Sequence, residues 1–476
     1  MDRTVVFGQL VDRANGVRSL RHLVRDIATE CVWMKQFDME TPSRTPTDLG
    51  TVHNRPLASD RRPLVAAILG NAIEYYDHSL YGLFAAYLAI VFFDSSNPAF
   101  ALLATYATFI SSYAVRPVAG LLLGRLADLR GHRFVLILTI NLMTAGTFGI
   151  ALIPGHEEIG LWSPLLLVIC RLMQGIGASA EYTVATSYAL KYSSKHRQQL
   201  IVGLSNAATN IGPFLASLIA LFVTYAYGDS FLESGAWRIP FLLSAPVGLL
   251  VLYLRRQSIE DEQPRDQAGP DEEVARVSMF TALRGHWGMM ARVIGLGAGQ
   301  RVGTFCLQTY FVTALIRQGV DGPLAMLASI LICIIGAPMS IVGGLLGDRF
   351  GGRSVLITGY VLYVAVTVPL FHVLGVSVPL SILGICIYAI LNNVIAPALS
   401  HSYIMSFPQE VRGAASTLNF NVGTVLFGST APFVATWLVA RTGSEVMFGW
   451  YMTAFCAVSC ATAVFAYPDA LRTRRT

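Results

Sequence analysis

Twelve long apolar segments dominate this chain, and they leave few ways to fold it. Each is close to the roughly 20 residues that a helix needs to cross the hydrocarbon core of a bilayer. Charged residues make up only 13% of the 476 positions, against roughly 25% in soluble domains. We therefore predict an all-α polytopic membrane protein with spans near 64–92, 100–127, 133–154, 161–190, 199–226, 238–255, 287–317, 322–347, 354–374, 378–406, 411–440 and 445–468.

Arginine and lysine residues fall mainly in alternate loops between these segments. By the positive-inside rule these loops are cytoplasmic, which places both termini inside and agrees with an even number of spans. The stretch RRQSIEDEQPRDQAGPDEEVAR (255–276) has the composition of a solvated linker. The predicted organisation is a cytoplasmic extension at 1–62, a six-helix half at 63–255, a cytoplasmic central loop at 256–286, a second six-helix half at 287–468 and a cytoplasmic tail at 469–476.

One motif occurs twice, after spans two and eight. GRLADLRGHR occupies 124–133 and GLLGDRFGGR occupies 344–353. The matching Gly, Leu, Asp, Gly and Arg positions, such as Asp128 and Asp348, all lie 220 residues apart. Parallel repeats of this kind are typical of one large class of secondary transporters.

The first span carries an unexpected set of polar residues. Glu74, Asp77, His78 and Tyr81 have the i, i+3, i+4, i+7 spacing of one helix face. An ionisable group at mid-bilayer costs a few kcal/mol or more, so this face is expected to meet a bundle interior or a water-filled cavity. For the acids, proton carriage and a buried network that locks the span in place both remain open. His78 is interpreted as a packing residue, with a second titrating group as the alternative.

Three arginines within the spans, Arg116, Arg171 and Arg301, supply counter-charges, and Glu181 adds a further buried acid. Buried charges need partners, but the sequence leaves the pairings open. Arg301 stands mid-span, where a fixed guanidinium suits bidentate recognition of a carboxylate. A salt bridge between the two halves is the alternative interpretation of Arg301.

Other functional classes find little support. The net charge of +5 lies mostly in loops, with no base-stacking aromatic residues beside a basic stripe, so nucleic-acid binding is not expected. No nucleophile–base pair or metal-ligand cluster occurs in a span, and the six cysteines within the spans have neither metal-ligand nor redox spacing. GLGAG (295–299) follows no predicted strand, so it is not a dinucleotide loop. We expect no enzyme activity, no metal and no bound cofactor.

The repeated motif G-x-L-x-D-x-x-G-x-[RK] resembles the signature loop of the major facilitator superfamily. A finer resemblance, to the metabolite:proton symporter family of proline/betaine, α-ketoglutarate, citrate and shikimate carriers, covers nearly all of 64–468. It implies the major facilitator fold, with twelve transmembrane helices in two six-helix halves. The matching segments are GNAIEYYDHSLYG (70–82), AVRPVAGLLLGRLAD (114–128), RLMQGIGASAEY (171–182), WRIPFLLS (237–244) and LNFNVGTVLFGSTAPFVATWLV (418–439).

The chain also departs from the family pattern at several positions. Tyr75 and Tyr182 stand where that family has tryptophan, and His78 stands where it has an aromatic residue. Leu129 replaces a basic residue in the first signature loop. The resemblance therefore indicates the fold and the transport class more firmly than any particular solute.

The resemblance and the polar positions within the spans together indicate three groups of functional residues. The proton-coupling group is Asp77, Glu74, Glu181, Arg116 and Arg171. The substrate-binding group is Arg301, Tyr81, Gln174, Gln300, Gln308, Tyr310 and Asn421, with Asn392 and Asn393 as further polar positions. The gating group, at span ends in the two signature loops, is Asp128, Arg133, Asp348, Arg349 and Arg353.

The predicted function is proton-coupled symport of a small organic acid or zwitterionic metabolite by alternating access. The carrier is expected to be a monomer in a bacterial inner membrane, to bind its solute and a proton, and to use the proton gradient in place of a cofactor. A proton-driven exporter remains an alternative, because NIGPF (210–214) contains the Gly-Pro of an antiporter motif without its flanking glycines. A non-transporting membrane sensor is a second alternative.

Overall fold

The structure is a computed structural model that describes residues 62–94, 96–179, 190, 196–260, 279–374, 376–409, 411–468 and 471. All of these belong to one compact unit, Asp60–Thr476. Over the described residues the fold is helical and contains no strand. Glu181 lies outside the described residues, as do the side chains of Asp128 and Arg133, so the roles of these three stay predictions.

The first half of the bundle is built from helices that run back and forth along one axis. They are α1 (Arg62–Leu83), α2 (Ala85–Phe92), α3 (Pro98–Ala114), α4 (Arg116–Arg130), α5 (His132–Leu152), α6 (His156–Ile159), α7 (Trp162–Gly177), α8 (Gln198–Thr209), α9 (Ile211–Tyr227), α10 (Ile239–Leu242) and α11 (Ser244–Glu260), with 3₁₀ turns at Gly228–Phe231 and Ala236–Arg238.

The second half repeats this plan with longer helices. They are α12 (Met279–Phe305), α13 (Phe311–Arg317), α14 (Gly322–Phe350), α15 (Gly352–Val373), α16 (Val378–Met405), α17 (Arg412–Gly423), α18 (Ala431–Thr442) and α19 (Val446–Phe465). Two π-helical segments, Cys306–Tyr310 and Thr424–Ser429, join α12 to α13 and α17 to α18.

Nine helices of the described residues are long and apolar enough to cross a membrane. They correspond to nine of the twelve predicted spans: Pro98–Gly120, Phe134–Leu152, Gln198–Tyr227, Ala236–Tyr253, Gly322–Phe350, Gly352–Val373, Val378–Met405, Arg412–Thr442 and Val446–Phe465. The other three predicted spans contain helices α1, α7 and α12. α1 and α12 carry charged residues, among them the buried Asp77 and Arg301, and these lower the mean hydropathy. α7 is apolar but has only 16 residues, and residues 180–189 beyond it are not described.

The outer surface of the bundle exposes many large apolar side chains. Large hydrophobic side chains are widely exposed, among them Phe222 (72%), Leu249 (64%) and Phe465 (83%). Monomeric soluble proteins rarely expose broad apolar patches. This surface is therefore suited to contact with lipid, in agreement with the predicted membrane protein.

Helix breaks that precede a proline divide several of the spans, among them spans two, five and eleven. The helices are interrupted at Val115, Asn210 and Thr430, and a proline follows two or three residues later, at 117, 213 and 432. Proline has no N–H, and its ring clashes with the carbonyl four residues earlier. The break therefore precedes each proline by about one turn or less.

The two halves touch on both sides of the bundle centre. Near the signature loops, α14 lies so close to α8 that a Cβ on Gly344 would stand 2.8 Å from the Leu200 Cα. At the opposite end, the Tyr106 hydroxyl donates to Thr313 Oγ1 at 3.0 Å. Because contacts close the bundle at both ends, the structure represents an arrangement in which neither end is fully parted.

Candidate functional site

A cavity of about 140 Å³ lies at the bundle centre, between the two halves. Both halves contribute to its wall, the first through spans one, two and five and the second through spans seven, eight, ten and eleven. The wall includes the polar side chains Glu74, His78, Ser79, Arg116, Asn206, Gln300, Arg301, Gln308, Asn392 and Asn393. Five predicted site residues therefore line this cavity, together with both additional asparagines: Glu74, Arg116, Gln300, Arg301, Gln308, Asn392 and Asn393. A sixth predicted residue, Asp77, lies on the same helix turn as Glu74 and His78.

Arg301 forms part of the cavity wall, and its positive charge has few hydrogen-bond acceptors and no counter-ion among the described residues. Its guanidinium carbon lies 4.4 Å from the ring centroid of Tyr403 and 5.3 Å from that of Phe420. Nη2 makes one long hydrogen bond, 3.4 Å, to the Phe420 carbonyl, and among the described residues Nε and Nη1 have no acceptor. The two ion pairs of the described part of the chain, Arg116–Glu74 and Arg317–Glu445, do not involve it. A buried cation without a counter-ion is costly, so this position is suited to binding an anion.

Arg116, on the opposite wall, is held by two acceptors from α1. Nη1 donates to Glu74 Oε1 at 3.0 Å, and both side chains are nearly fully buried. Nη2 contacts His78 Nε2, and the guanidinium carbon stacks 4.3 Å from the ring centroid of Tyr113. The structure thus assigns a partner that the sequence left open: Glu74 is paired with Arg116 rather than with Arg171.

His78 lies between α1 and span two, at the edge of the cavity. Nδ1 is 2.8 Å from the carbonyl oxygen of Glu74, one turn earlier. The ring packs edge-on against Tyr113, with centroids 5.0 Å apart and an interplanar angle of 87°. His78 therefore packs well, but it also contacts a buried charge, which a simple packing residue does not.

Asp77 belongs to a separate network inside the first half. Arg171 Nη1 donates to Gln174 Oε1 at 2.7 Å, and Gln174 Nε2 donates to Thr147 Oγ1 at 2.6 Å. Thr147 Oγ1 in turn donates to Asp77 Oδ2 at 2.6 Å. Every member has the donor and acceptor capacity that this order requires. A continuous chain of hydrogen bonds thus joins Arg171 to Asp77 without a direct ion pair among the described residues.

The far side of Arg171 is aromatic. Its guanidinium carbon lies 4.1 Å from the ring centroid of Tyr81 and 5.2 Å from that of Phe109, and Nη2 donates to Ser112 Oγ at 3.0 Å. A cation over an aromatic face is stabilised by the ring quadrupole, more so when desolvated. Arg171 is fully buried, so these contacts replace the water that it lacks.

Four predicted substrate-binding residues do not line the cavity. The Tyr81 hydroxyl donates to the Thr105 carbonyl at 3.0 Å, and Gln174 is engaged in the Arg171 network. Tyr310 points away, with its hydroxyl bonded to Glu445, and Asn421 Nδ2 donates to the Ser179 carbonyl at 2.8 Å. In this structure their polar atoms are engaged within the helix packing and not at the cavity, so their role in solute binding stays a prediction.

The second signature loop contacts the first half directly. Asp348 accepts hydrogen bonds from the backbone N–H groups of Gln199 and Leu200, both at 2.9 Å. These amides belong to the N-terminus of α8, where the helix dipole favours an anion. Arg353 instead stays within its own half, donating to the carbonyls of Ala463 and Val464 at 3.1 and 2.5 Å. Arg349 stacks over Phe350, its neighbour in sequence, at 5.2 Å.

Sequence reasoning missed several residues that shape the site. Thr147 links Gln174 to Asp77, and Tyr403 and Phe420 flank Arg301. A lone threonine or aromatic residue in an apolar span has no distinguishing periodicity, so no signal singled these out. Their roles depend on which helices become neighbours.

A helical bundle with an apolar outer surface and a polar cavity between two repeated halves defines a multi-pass membrane transport protein, not an enzyme. The Major Facilitator Superfamily model matches residues 67–432, which is more than three quarters of the chain. The chain belongs to the Major Facilitator Superfamily.

Curated relatives agree with the finer resemblance. The proline/betaine transporter of Salmonella typhimurium (strain LT2) is 30% identical over 418 residues, covering 85% of this chain and 83% of the relative. The α-ketoglutarate permease of Escherichia coli (strain K12) is 30% identical over 424 residues, covering 86% and 95%. The motifs therefore identified the correct branch of the superfamily.

Solved structures show the same fold. The xylose transporter XylE from E. coli, in a partially occluded inward open conformation, superposes with a TM-score of 0.67 at 17% identity, covering 86% of this chain and 97% of that one. A D-xylose-proton symporter gives a TM-score of 0.66 at 18% identity, covering 87% and 99%. At this identity the likeness concerns the fold alone.

Proposed function

We propose that this chain is a proton-coupled symporter that carries a small organic acid or a zwitterionic metabolite by alternating access. The observation that supports the solute class is Arg301, a buried guanidinium in the cavity wall with no described counter-ion and two nitrogens without acceptors. A carboxylate accepts two hydrogen bonds from a guanidinium in one plane, and it would supply the missing charge.

The relatives are consistent with that chemistry. One is named a proline/betaine transporter and another an α-ketoglutarate permease, and all three of these solutes carry a carboxylate. A second carboxylate would mark the organic acid, and a positively charged nitrogen would mark the zwitterion. The aromatic rings beside Arg301 leave a face suited to either an apolar or a cationic group.

Proton coupling is assigned to the two carboxylates of α1. Asp77 accepts one hydrogen bond at Oδ2, while Oδ1 has no partner among the described residues. Glu74 is neutralised by Arg116. A proton that binds to either acid removes a negative charge from a buried network, so loading and release change the interactions between spans.

Gating is assigned to the contact of Asp348 with the N-terminus of α8. This contact joins the second half to the first at the signature-loop end. Rocking of the halves about the cavity requires that it break when this end opens. We further propose that the carrier works as a monomer in a bacterial inner membrane, with this end and both termini in the cytoplasm.

Reconstituted proteoliposomes test the function. An inward proton gradient is imposed, and uptake of labelled α-ketoglutarate, proline and glycine betaine is followed with and without a protonophore. Gradient-dependent accumulation of at least one of them supports symport. Faster efflux of preloaded solute under the same gradient, without accumulation, would instead show an exporter.

A further inference from the structure

The contact between His78 and Arg116 constrains where the imidazole carries its hydrogen. An arginine guanidinium has only donors, so His78 Nε2 must accept from Arg116 Nη2. Nδ1 then carries the hydrogen and donates it to the Glu74 carbonyl at 2.8 Å. The arrangement is complete only with a neutral imidazole in the Nδ1–H form.

A proton on His78 removes this contact entirely. An imidazolium has two donors and no acceptor, so Nε2 can no longer receive a hydrogen bond from Arg116. Glu74 behaves differently, because a protonated carboxyl group keeps an acceptor oxygen. The imidazolium also places a second positive charge beside the guanidinium, and two adjacent cations in a buried site repel each other.

Among the described residues, the acidic side chain that contacts the Arg116 guanidinium is Glu74, which already accepts from Nη1. The described charged groups nearest to His78 are Glu74 on its own helix, Arg116 from span two and Arg171 from span four. Asp77, also on α1, is engaged by Thr147, and Tyr113 presents its ring. Across the cavity, the described charged side chain in the wall is Arg301. A carboxylate that enters the cavity would supply a second anion at this point.

We propose that His78 couples a proton to solute binding, both by controlling Arg116 and by contacting the solute itself. In its neutral form it keeps Arg116 in the α1 clamp formed by Glu74 and His78. In its protonated form it releases Nη2 toward the cavity, where the guanidinium and the imidazolium together bind a carboxylate of the solute. This rests on the proposed function for the solute class, and it adds a carboxylate subsite on the first half, opposite Arg301.

Protonation of His78 and binding of the solute carboxylate are linked. One proton enters at Nε2, and the Arg116 hydrogen bond to that nitrogen is lost. The incoming carboxylate accepts hydrogen bonds from both cations. Release of the carboxylate leaves two unbalanced cations, which favours loss of the proton and return to the clamp. By reciprocity, the proton strengthens carboxylate binding by the same factor by which the carboxylate strengthens proton binding.

A solute-independent measurement tests the arrangement itself. The full chain is labelled with ¹⁵N-histidine in nanodiscs, and the His78 signals are assigned by their absence from His78→Gln or, if that variant does not fold, His78→Phe. At pH 8 the expected signals are a protonated Nδ1 and an unprotonated Nε2. Acidification should protonate Nε2, and sodium acetate, a minimal carboxylate, should move the midpoint to higher pH. A protonated Nε2 at pH 8, or a midpoint that acetate leaves in place, would overturn the proposal.

A transport measurement tests the coupling. Wild type, His78→Gln and the control His372→Gln are compared in proteoliposomes for KM of α-ketoglutarate and glycine betaine between pH 5.5 and 8. His372 is a fitting control because its Nδ1 makes the same bond to a carbonyl one turn earlier, at 3.0 Å, but in an exposed position. One linked proton lowers KM by up to about tenfold for each pH unit of acidification. His78→Gln keeps an acceptor for Arg116 but cannot titrate, so its KM should lack the wild-type fall on acidification and change by no more than about twofold between pH 5.5 and 8.

The two measurements separate the two proposals. If neither solute accumulates while acetate shifts the His78 midpoint, the proposed solute class is wrong and the His78–Arg116 switch stands. If a solute accumulates and His78→Gln keeps the wild-type pH profile of KM, the switch is wrong and the proposed function stands.

Discussion

The guanidinium of Arg301 lies 4.4 Å from the ring centroid of Tyr403, in the wall of a cavity that both halves of the bundle form. Stacking fixes the plane of the guanidinium while its edge keeps two nitrogens without acceptors among the described residues. The guanidinium is thus held by aromatic rings and not by a described counter-ion. Stacking explains how an apolar span can hold a charge for which the described residues supply no counter-ion.

Arg301→Gln is expected to raise KM for a carboxylate solute about 30- to 150-fold, because charge-assisted hydrogen bonds contribute about 2–3 kcal/mol. Arg301→Lys keeps the charge but loses the planar pair of donors, and it should fall between wild type and Arg301→Gln. Uptake in proteoliposomes measures KM, with exposed Arg441→Gln as the control. An Arg301→Gln protein that folds and keeps the wild-type KM would contradict a role in solute binding.

Asp77→Asn is expected to abolish gradient-driven accumulation while solute counterflow continues. Asparagine keeps an oxygen that accepts the hydrogen bond from Thr147, so the packing of α1 is retained, but it carries no titratable proton. Accumulation and counterflow are measured in the same proteoliposome preparation, with Asp94→Asn in an exposed loop as the control. Undiminished accumulation by Asp77→Asn would exclude Asp77 from coupling.

The sequence predicted the elements of this site better than its pairings. The residues at i, i+3, i+4 and i+7 of α1 (Glu74, Asp77, His78 and Tyr81) are all buried, as expected for polar side chains that avoid lipid. Which acid meets which arginine depended on helix packing and on Thr147, a residue with no pattern of its own. Such contacts arise from the neighbours of a helix, and helical periodicity carries no information about them.

The prediction for Tyr310 shows a second limit of predicting side-chain positions from the sequence. Its predicted place at the cavity rested on its polar hydroxyl and not on its position on the helix. Tyr310 comes nine residues after Arg301 and two after Gln308, which at 3.6 residues per turn puts it on the opposite face of an α-helix from both. The π-helical segment Cys306–Tyr310 changes this rotation further. The Tyr310 hydroxyl bonds Glu445, whereas Gln308 lines the cavity.

Thr147→Val is expected to lower the free energy of unfolding by about 1–3 kcal/mol, because it leaves Gln174 Nε2 and Asp77 Oδ2 buried without their shared partner. Thr139→Val is the matched control on the same helix, since Thr139 bonds only the carbonyl of Leu136, one turn away, at 3.0 Å. Thermal unfolding in detergent measures both variants. Equal stability losses for the two would argue against a special role for the Thr147 bridge.

Asp348→Asn is expected to loosen the signature-loop end. The neutral side chain loses the charge that the two amides of α8 stabilise, a contribution of about 0.3–1 kcal/mol or up to about 2 when partly buried. The open population should therefore rise about 2- to 30-fold. Cys333 reports this opening because it is buried in the cavity wall.

The rate of maleimide modification of Cys333, followed by mass spectrometry, measures the change. Cys333→Ser identifies the signal against the other cysteines. Asp321→Asn, at the start of the same helix and the opposite end of the bundle, is the matched control and should leave the rate unchanged. If Asp348→Asn and Asp321→Asn labelled at the same rate, the contact of Asp348 with Gln199 and Leu200 would not hold this end closed.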